Sequence, residues 1–533
     1  MHSASRLTCA DFSSSPATCL LTVLNELLRA VDGRVALLRP VTGGFDSHRD
    51  DIDLLLTETQ RQQLLRATYA HCMSGQIHCR IQKYSPAKAQ LVLWTINCTH
   101  KLMIDLWTSF DQLPRRRHSC IPAERLLSTL TASLPDAQIH ANEKIPALRR
   151  LPPDIDFCLL IQHFAAKRRR VATPAVRERI ALACERLASW SPELISQHVP
   201  HDPLVALRAV ADQLRRAAMI TPQIVASSDD YLVQRLCHVP GNRGLPVLET
   251  RRCRGRMTEL RKTILKHRPT LAVIGSDGAG KSSVVSALAL QQPNSTSVVA
   301  KKFYRRSLTY QFISGLVKRF RGTDRGRFDD STAPLITFRA AVALWIDMCL
   351  PYHVRSKTRP SVTAEDNLVT ARKLRTETEI SGARFHRAGH VINVPHVLNP
   401  TVISAPVLNT LAHTTILDRS IDSFLITDRK SDTPHLTRFA TWIERLIPPA
   451  TRVLLTLPHA DLTGRKQEMS APGHAIYQRL LFEQALRQQP ADLILLANLP
   501  SAQAAAAAIC ELLQDDRQSV ASSTAADNSK AAA

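Results

Sequence analysis

One thirteen-residue stretch constrains this chain more than any other: Leu271-Ala-Val-Ile-Gly-Ser-Asp-Gly-Ala-Gly-Lys-Ser-Ser283. The apolar run Leu271–Ile274 reads as a short buried strand. Gly275, Gly280, Lys281 and Ser282 then satisfy the spacing G-x-x-x-x-G-K-[ST], and Ser283–Leu290 continues as an apolar helix. Strand, glycine-rich loop and helix together are the context in which this spacing cradles phosphates. Glycines let consecutive N–H groups turn inward, the helix N-terminus adds a positive dipole end, and a lysine adds a point charge. The loop Gly275, Ser276, Asp277, Gly278, Ala279, Gly280, Lys281, Ser282 and Ser283 is therefore expected to bind ATP, with the Ser282 hydroxyl as a ligand to Mg²⁺.

Length and charge bound the rest. At 533 residues the chain exceeds what one hydrophobic core supports, so at least two domains are expected. The formal net charge of +23 implies an anionic partner. Part of the excess is local, since residues 251–270 hold eight Lys or Arg against Glu259 alone. Aromatic content of 5%, with no basic run interleaved by aromatics, does not favour single-stranded nucleic acid. Twelve cysteines occur without a C-x-x-C pair, and His71-Cys72 and His78-Cys79 fit no zinc spacing, so thiols in a reducing compartment are expected. The apolar run near Cys19–Leu28 is broken by Asn25 and Glu26, and Leu335–Val354 carries Arg339, Asp347 and Pro351. Neither reads as a signal peptide or a membrane span, and the expected location is cytoplasmic. The sequence leaves homodimerisation open.

Along the chain, residues 20–112 read as a small α+β unit. Helices are expected at Leu20–Val31 and Thr59–Met73, and strands at Val35–Val41, Ile52–Leu56, Ala89–Ile96 and Leu102–Leu106. Residues 120–240 read as mostly helical, with apolar spacings of three and four in Ile155–Ala165, Arg177–Ser189 and Leu204–Ala218. Pro240, Gly241, Gly244 and the following arginines suit an exposed linker between separable halves. Beyond it, strands at Thr414–Leu417, Arg452–Leu457 and Asp492–Leu496 alternate with helices at Ala475–Arg487 and 502–513, the pattern of a doubly wound parallel sheet. The domains are thus 20–250 and 255–515, with a disordered tail at 516–533.

Three motifs in the second half resemble those of thymidylate kinases and their relatives. Gly275-Ser-Asp-Gly-Ala-Gly-Lys-Ser282 is similar to their G-x-D-G-x-G-K-[ST] loop, Leu417-Asp-Arg-Ser-Ile-Asp-Ser423 to their Asp-Arg motif, and Gly464-Arg-Lys-Gln-Glu468 to their basic lid. The resemblance covers about residues 265–515 and implies a P-loop kinase fold and γ-phosphoryl transfer from ATP to an acceptor. In it, Asp277, Asp418 and Arg419 face the metal and the acceptor, and Arg465 and Lys466 close over the transferring group. The Arg-Glu-Pro-Gly of thymidylate kinases proper is missing. Its place is taken by Ala300-Lys-Lys-Phe-Tyr-Arg-Arg306, and residues 355–413 align with nothing in the family. Specificity for dTMP therefore does not carry over, and the acceptor stays unnamed.

The closer likeness is to thymidylate kinase-like proteins of bacterial surface-polysaccharide gene sets, several of which carry an N-terminal nucleotidyltransferase-like domain. Val41-Thr-Gly-Gly-Phe-Asp-Ser-His-Arg-Asp-Asp-Ile-Asp-Leu-Leu-Leu56 resembles that domain's signature, although Phe45 replaces the usual serine. Asp51 and Asp53, two apart on a strand, share a face. Asp105 on a later strand is the candidate third carboxylate for a Mg²⁺ site. Bulk pattern leaves three functions open: a phosphotransferase at the loop, a nucleotidyltransferase at the carboxylates, and an ATP-binding regulatory or assembly protein.

Overall fold

The structure is a computed structural model and describes residues 16–38, 51–130, 136–140, 143–167, 174–190, 201–217, 219–239, 246–250, 270–276, 278–290, 415–418, 426, 451–462, 470–487 and 491–513. Elements are numbered in chain order within that set. The fold is mixed α/β, as the alternation of strands and helices implies. Its centre, among the described residues, is an eleven-stranded sheet that runs through both halves of the chain.

The N-terminal half supplies β1 (Val35–Leu38), β2 (Asp51–Leu55), β3 (Ile77–Tyr84), β4 (Lys88–Thr95) and β5 (Lys101–Trp107). Two short strands, β6 (Ser109–Phe110) and β7 (Ser119–Pro122), pair beside it, and β8 (Asp136–His140) and β9 (Glu143–Arg150) extend its far edge. Two-residue β10 (Glu249–Thr250) pairs with β7. The C-terminal half supplies β11 (Thr270–Ile274), β12 (Thr415–Asp418), β13 (Thr451–Leu455) and β14 (Ala491–Leu496). The spatial order is β12-β11-β13-β14-β3-β4-β5-β2-β1-β9-β8. The four C-terminal strands are mutually parallel. The N-terminal strands mix the two senses: β2·β5 and β1·β9 are parallel, and β3·β4, β4·β5, β1·β2 and β8·β9 are antiparallel.

The two halves expected from the sequence therefore meet edge to edge. β14 pairs antiparallel with β3, Leu495 opposite Cys79 and Ile494 opposite Arg80. An unpaired strand edge exposes a row of N–H and C=O groups, and each half here covers the other's. Helices lie on both faces. On one, α1 (Pro16–Arg29), α2 (Glu58–Met73) and a helix at Ala471–Arg487 pack on Ile52, Leu54, Ile81, Leu91, Leu454 and Leu493 as one core drawn from both halves. α2 begins with a capping box: Thr57 Oγ1 accepts from Gln60 N, and Gln60 Oε1 accepts from Thr57 N. On the other face, the helix Lys281–Leu290 and the helix at 502–513 cover the C-terminal strands. There α3 (Ala123–Leu127) and a bundle of α4 (Pro153–Ala166), α5 (Pro174–Ala188), α6 (His201–Arg216) and α7 (Pro222–Cys237) cover β1 and the ends of β2 and β5. The bundle's buried Asp154 accepts from Tyr231 Oη at 2.9 Å and Arg235 Nε at 3.0 Å, tying α4 to α7.

Residues 120–240 are mostly helical among the described residues, as expected, but they also supply strands at Ser119–Pro122, Asp136–His140 and Glu143–Arg150. The segment Glu143–Arg150 carries charges and Pro146, so it lacks a strand's alternation. Its parallel pairing to β1, Val35 opposite Leu148, decides its conformation. β3 is likewise a strand that sequence reading does not anticipate.

Candidate functional site

At the phosphate loop, the chain leaves β11 and turns sharply. Gly278 (φ 90°) and Gly280 (φ 80°) hold left-handed backbone that a side chain would strain. Gly275 packs on β13, where a Cβ would make an ordinary contact of 3.4 Å with Leu455 O. Lys281 is buried and folds back over the loop, its Nζ donating to Gly275 O at 3.1 Å and Ser276 O at 2.6 Å. Lys281 and Ser282 open the helix Lys281–Leu290, where Val284 N bonds to Gly280 O at 3.0 Å. The arrangement fits a nucleotide phosphate group: a positive-φ turn, one buried cation and a helix N-terminus converge on one spot.

Asp418 ends β12, directly beside the loop strand, at the register position opposite Val273. That is two residues before the turn begins at Gly275. Tertiary folding thus brings the end of the Asp-Arg strand next to the loop from about 140 residues away in sequence. Arg419, Arg465 and Lys466 lie outside the described residues, as do Asp277, the segments 39–50, 251–269, 291–414 and the tail.

The loop has partners that motif reading does not reveal. His474 and Gln478, both buried on the helix Ala471–Arg487, reach Ser276 Oγ at 2.9 and 3.5 Å. Their spacing of four places them on one helix face. That spacing is the only signal in the sequence, and it is shared by many packing pairs.

The second constellation is the carboxylate trio. Asp53 on β2 sits opposite Asp105 on β5, and Asp51 opposite Met103. One ligand oxygen from each of Asp51, Asp53 and Asp105 lies within 4.8 Å of the others, with Asp51 exposed and the other two buried. Their sheet face carries the bundle on one side, over Leu55 and Trp107, and the 502–513 helix on the other, over Val92 and Trp94. The trio occupies the strip between.

Three neighbours already engage it. Lys88 Nζ forms an ion pair with Asp105 Oδ2, Gln90 Nε2 donates to Asp105 Oδ1 at 3.2 Å, and Trp107 Nε1 donates to Asp53 Oδ1 at 2.8 Å. The Lys88 ammonium also lies 4.3 Å from the centre of the Trp107 ring, a cation–π contact. Oxygen donors at this spacing suit a hard cation such as Mg²⁺. Such an ion would compete with the Lys88 ammonium for Asp105. Lys88 and Gln90 alternate with apolar Ala89 and Leu91 at the start of β4, and the pairing with β5 decides which carboxylate they meet.

The two constellations are separate. From β11 to β2 is six strand steps, roughly 29 Å at about 4.8 Å per step. They open at the same end of the sheet, since the row Ile274, Leu454, Leu495, Cys79, Leu93, Leu102 is one residue from Met103, the partner of Asp51.

Of the histidines and cysteines away from the two constellations, His78, His163, Cys72 and Cys79 are core groups. His78 is buried; its Nε2 lies 3.2 Å from Ile96 O and its Nδ1 accepts from Ala497 N at 3.1 Å, and burial lowers its pKa to about 4. Burial pushes the thiols of Cys72 and Cys79 upward, and the nine described cysteines form no disulfide with one another. His163 is buried against Phe164 and pairs with Gln112. Among the described residues no helix is long and apolar enough to cross a membrane.

Comparison with known proteins does not assign the chain: it matches no family model, no curated protein and no solved structure.

Proposed function

We propose that the chain is an ATP- and Mg²⁺-dependent phosphotransferase of the nucleoside monophosphate kinase type, with a nucleotide or sugar-type acceptor. The observation that supports this most is the loop 275–282. Left-handed Gly278 and Gly280, buried Lys281 and the helix N-terminus converge there, with the end of the Asp418 strand alongside. In this reading, the backbone amides of 275–282 and Lys281 hold the β- and γ-phosphates. Ser282 and Asp418 hold Mg²⁺ or its water, and the ion neutralises charge on the phosphate oxygens. Asp277 and Arg419 face the acceptor, and Arg465 with Lys466 meets the charge that develops on the transferring group. The resemblance to thymidylate kinase-like proteins points the same way and suggests surface-polysaccharide synthesis as the setting.

A second reading has its own observation. The trio Asp51, Asp53 and Asp105 has the donor set of a nucleotidyltransferase. Against it stands the Lys88 ammonium on Asp105, which supplies positive charge without a metal.

Product analysis separates the readings. With ATP labelled at the γ position and a panel of nucleoside monophosphates and sugar phosphates, the phosphotransferase yields ADP and a labelled acceptor. Release of pyrophosphate instead assigns chemistry to the trio. Binding of ATP with neither product assigns a regulatory or assembly role.

A further inference from the structure

The helix Ala471–Arg487 touches the phosphate loop with one end of a side-chain knot and the N-terminal half with the other. Gln478 is fully buried, and its amide carries two hydrogens. One goes to Leu457 O at 2.9 Å, which anchors the side chain to the segment after β13. The other is directed at His474 Nε2, also 2.9 Å away, with Ser276 Oγ at 3.5 Å. The Ser276 hydroxyl lies 2.9 Å from the same Nε2, whose single lone pair the hydroxyl and the Gln478 amide share. Ser276 lies directly between Gly275 and Asp277, and its carbonyl is the closer of the two that hold Lys281. The second residue of the loop is thereby pinned from its side chain while its backbone pins the lysine.

The opposite side of the knot faces α2. Tyr69 Oη donates to Gln478 Oε1 at 3.5 Å, and the Tyr69 ring stacks on Phe482 with centroids 4.9 Å apart. Arg66 and Glu483 form an ion pair at 3.5 Å. The Thr456 hydroxyl, just past β13, lies between Leu496 O at 2.8 Å and Cys72 O of α2 at 3.2 Å, which share its one hydrogen.

We propose that His474 and Gln478 are positioning residues of the phosphate loop, and that through the Tyr69–Gln478–Phe482 contact they transmit nucleotide binding at the loop to α2 of the N-terminal half. The proposal rests on the reading of 275–282 as a nucleotide site. Coupling needs a contiguous element that both sites bias, and the helix Ala471–Arg487 contacts both. Ordering the loop around phosphates orders Ser276, hence His474 and Gln478, hence the Gln478–Phe482 face of the helix against Tyr69.

Hydrogen exchange on the full chain, with and without ATP and Mg²⁺, tests it in the unmodified protein. The expected result is slowed exchange in three segments together: 271–290, 471–487 and 58–73. Slowing confined to 271–290 overturns the proposal while leaving the nucleotide site standing. No slowing at 271–290 at saturating ATP overturns the nucleotide site and the proposal with it. Calorimetry adds the positioning readout. His474→Ala should weaken ATP binding about 3- to 10-fold, the equivalent of one net hydrogen bond. His474→Gln, which keeps an acceptor, should restore most of it. Wild-type affinity in a folded His474→Ala variant refutes the positioning role.

Discussion

Removing the Arg80–Asp492 pair should open the seam between the two halves before anything else unfolds. Arg80 is on β3 and its side chain is 5% exposed; Asp492 is on β14 and is 29% exposed. The contact is bidentate, Nε to Oδ1 and Nη2 to Oδ2, both at 2.9 Å, and Nη1 donates to Leu512 O at 2.9 Å. Thr451 Oγ1 adds a bond to Asp492 at 2.7 Å. The two losses are not symmetric. Asp492→Leu strands a guanidinium that water does not reach, which costs about 3–5 kcal/mol. Arg80→Met strands a carboxylate that is partly hydrated and keeps its threonine, so about 2–3 kcal/mol is expected. With both replaced no charge is left unpaired, and the double variant should be no worse than Asp492→Leu alone. The coupling energy from the four-member cycle should then exceed about 1.5 kcal/mol. Urea unfolding of the full chain, followed by exchange at β3 and β14, measures it. Additivity within about 0.5 kcal/mol would show that the pair is a surface contact and that the seam is held by its backbone ladder alone.

Lys281→Ala should weaken ATP binding about 10- to 100-fold by calorimetry, since it removes a charge-assisted contact of about 1.5–3 kcal/mol; unchanged affinity refutes the loop assignment. Trypsin cutting within 240–258 should leave the two fragments co-eluting by gel filtration, because β14 and β3 stay paired; dissociation under native conditions refutes the shared sheet. Lys88→Met should increase the thermal stabilisation that Mg²⁺ gives the chain, since Asp105 loses its ammonium partner, whereas Asp51→Asn/Asp53→Asn should abolish that stabilisation; no Mg²⁺ effect in either wild type or Lys88→Met refutes a cation role for the trio. His78 is held neutral in the folded chain, its pKa lowered from 6.5 to about 4. The unfolded chain binds the extra proton in that window, so stability should fall by about 3 kcal/mol as pH drops from 6.5 towards 4. His78→Asn should flatten the slope between those values in urea unfolding, and an unchanged slope refutes the assignment to His78.

Local pattern was sufficient for the phosphate loop and for most long elements. Gly278 and Gly280 adopt the backbone that only glycine takes without strain, so spacing alone located the turn. The helices at Glu58–Met73, Pro153–Ala166 and Ala471–Arg487 lie where residues 59–73, 155–165 and 475–487 read as helical, and the first also carries a capping box. The spacing of Asp51 and Asp53 likewise put both on one strand face. What no local signal contains is partnership across the sheet. Ile77–Tyr84 alternates Ile77, Cys79 and Ile81 with His78, Arg80 and Gln82, which reads as a strand with one wet face or as no strand at all. Both faces are buried, because Asp492, Ala497 and Leu512 arrive from more than 400 residues away to meet Arg80 and His78. The pairing of Lys88 with Asp105, the pinning of Ser276 by His474 and the continuity of one sheet through both halves are of the same kind. Each depends on a polar group that cannot stay buried without a partner. The chain places that partner through its topology, so only the tertiary structure identifies it.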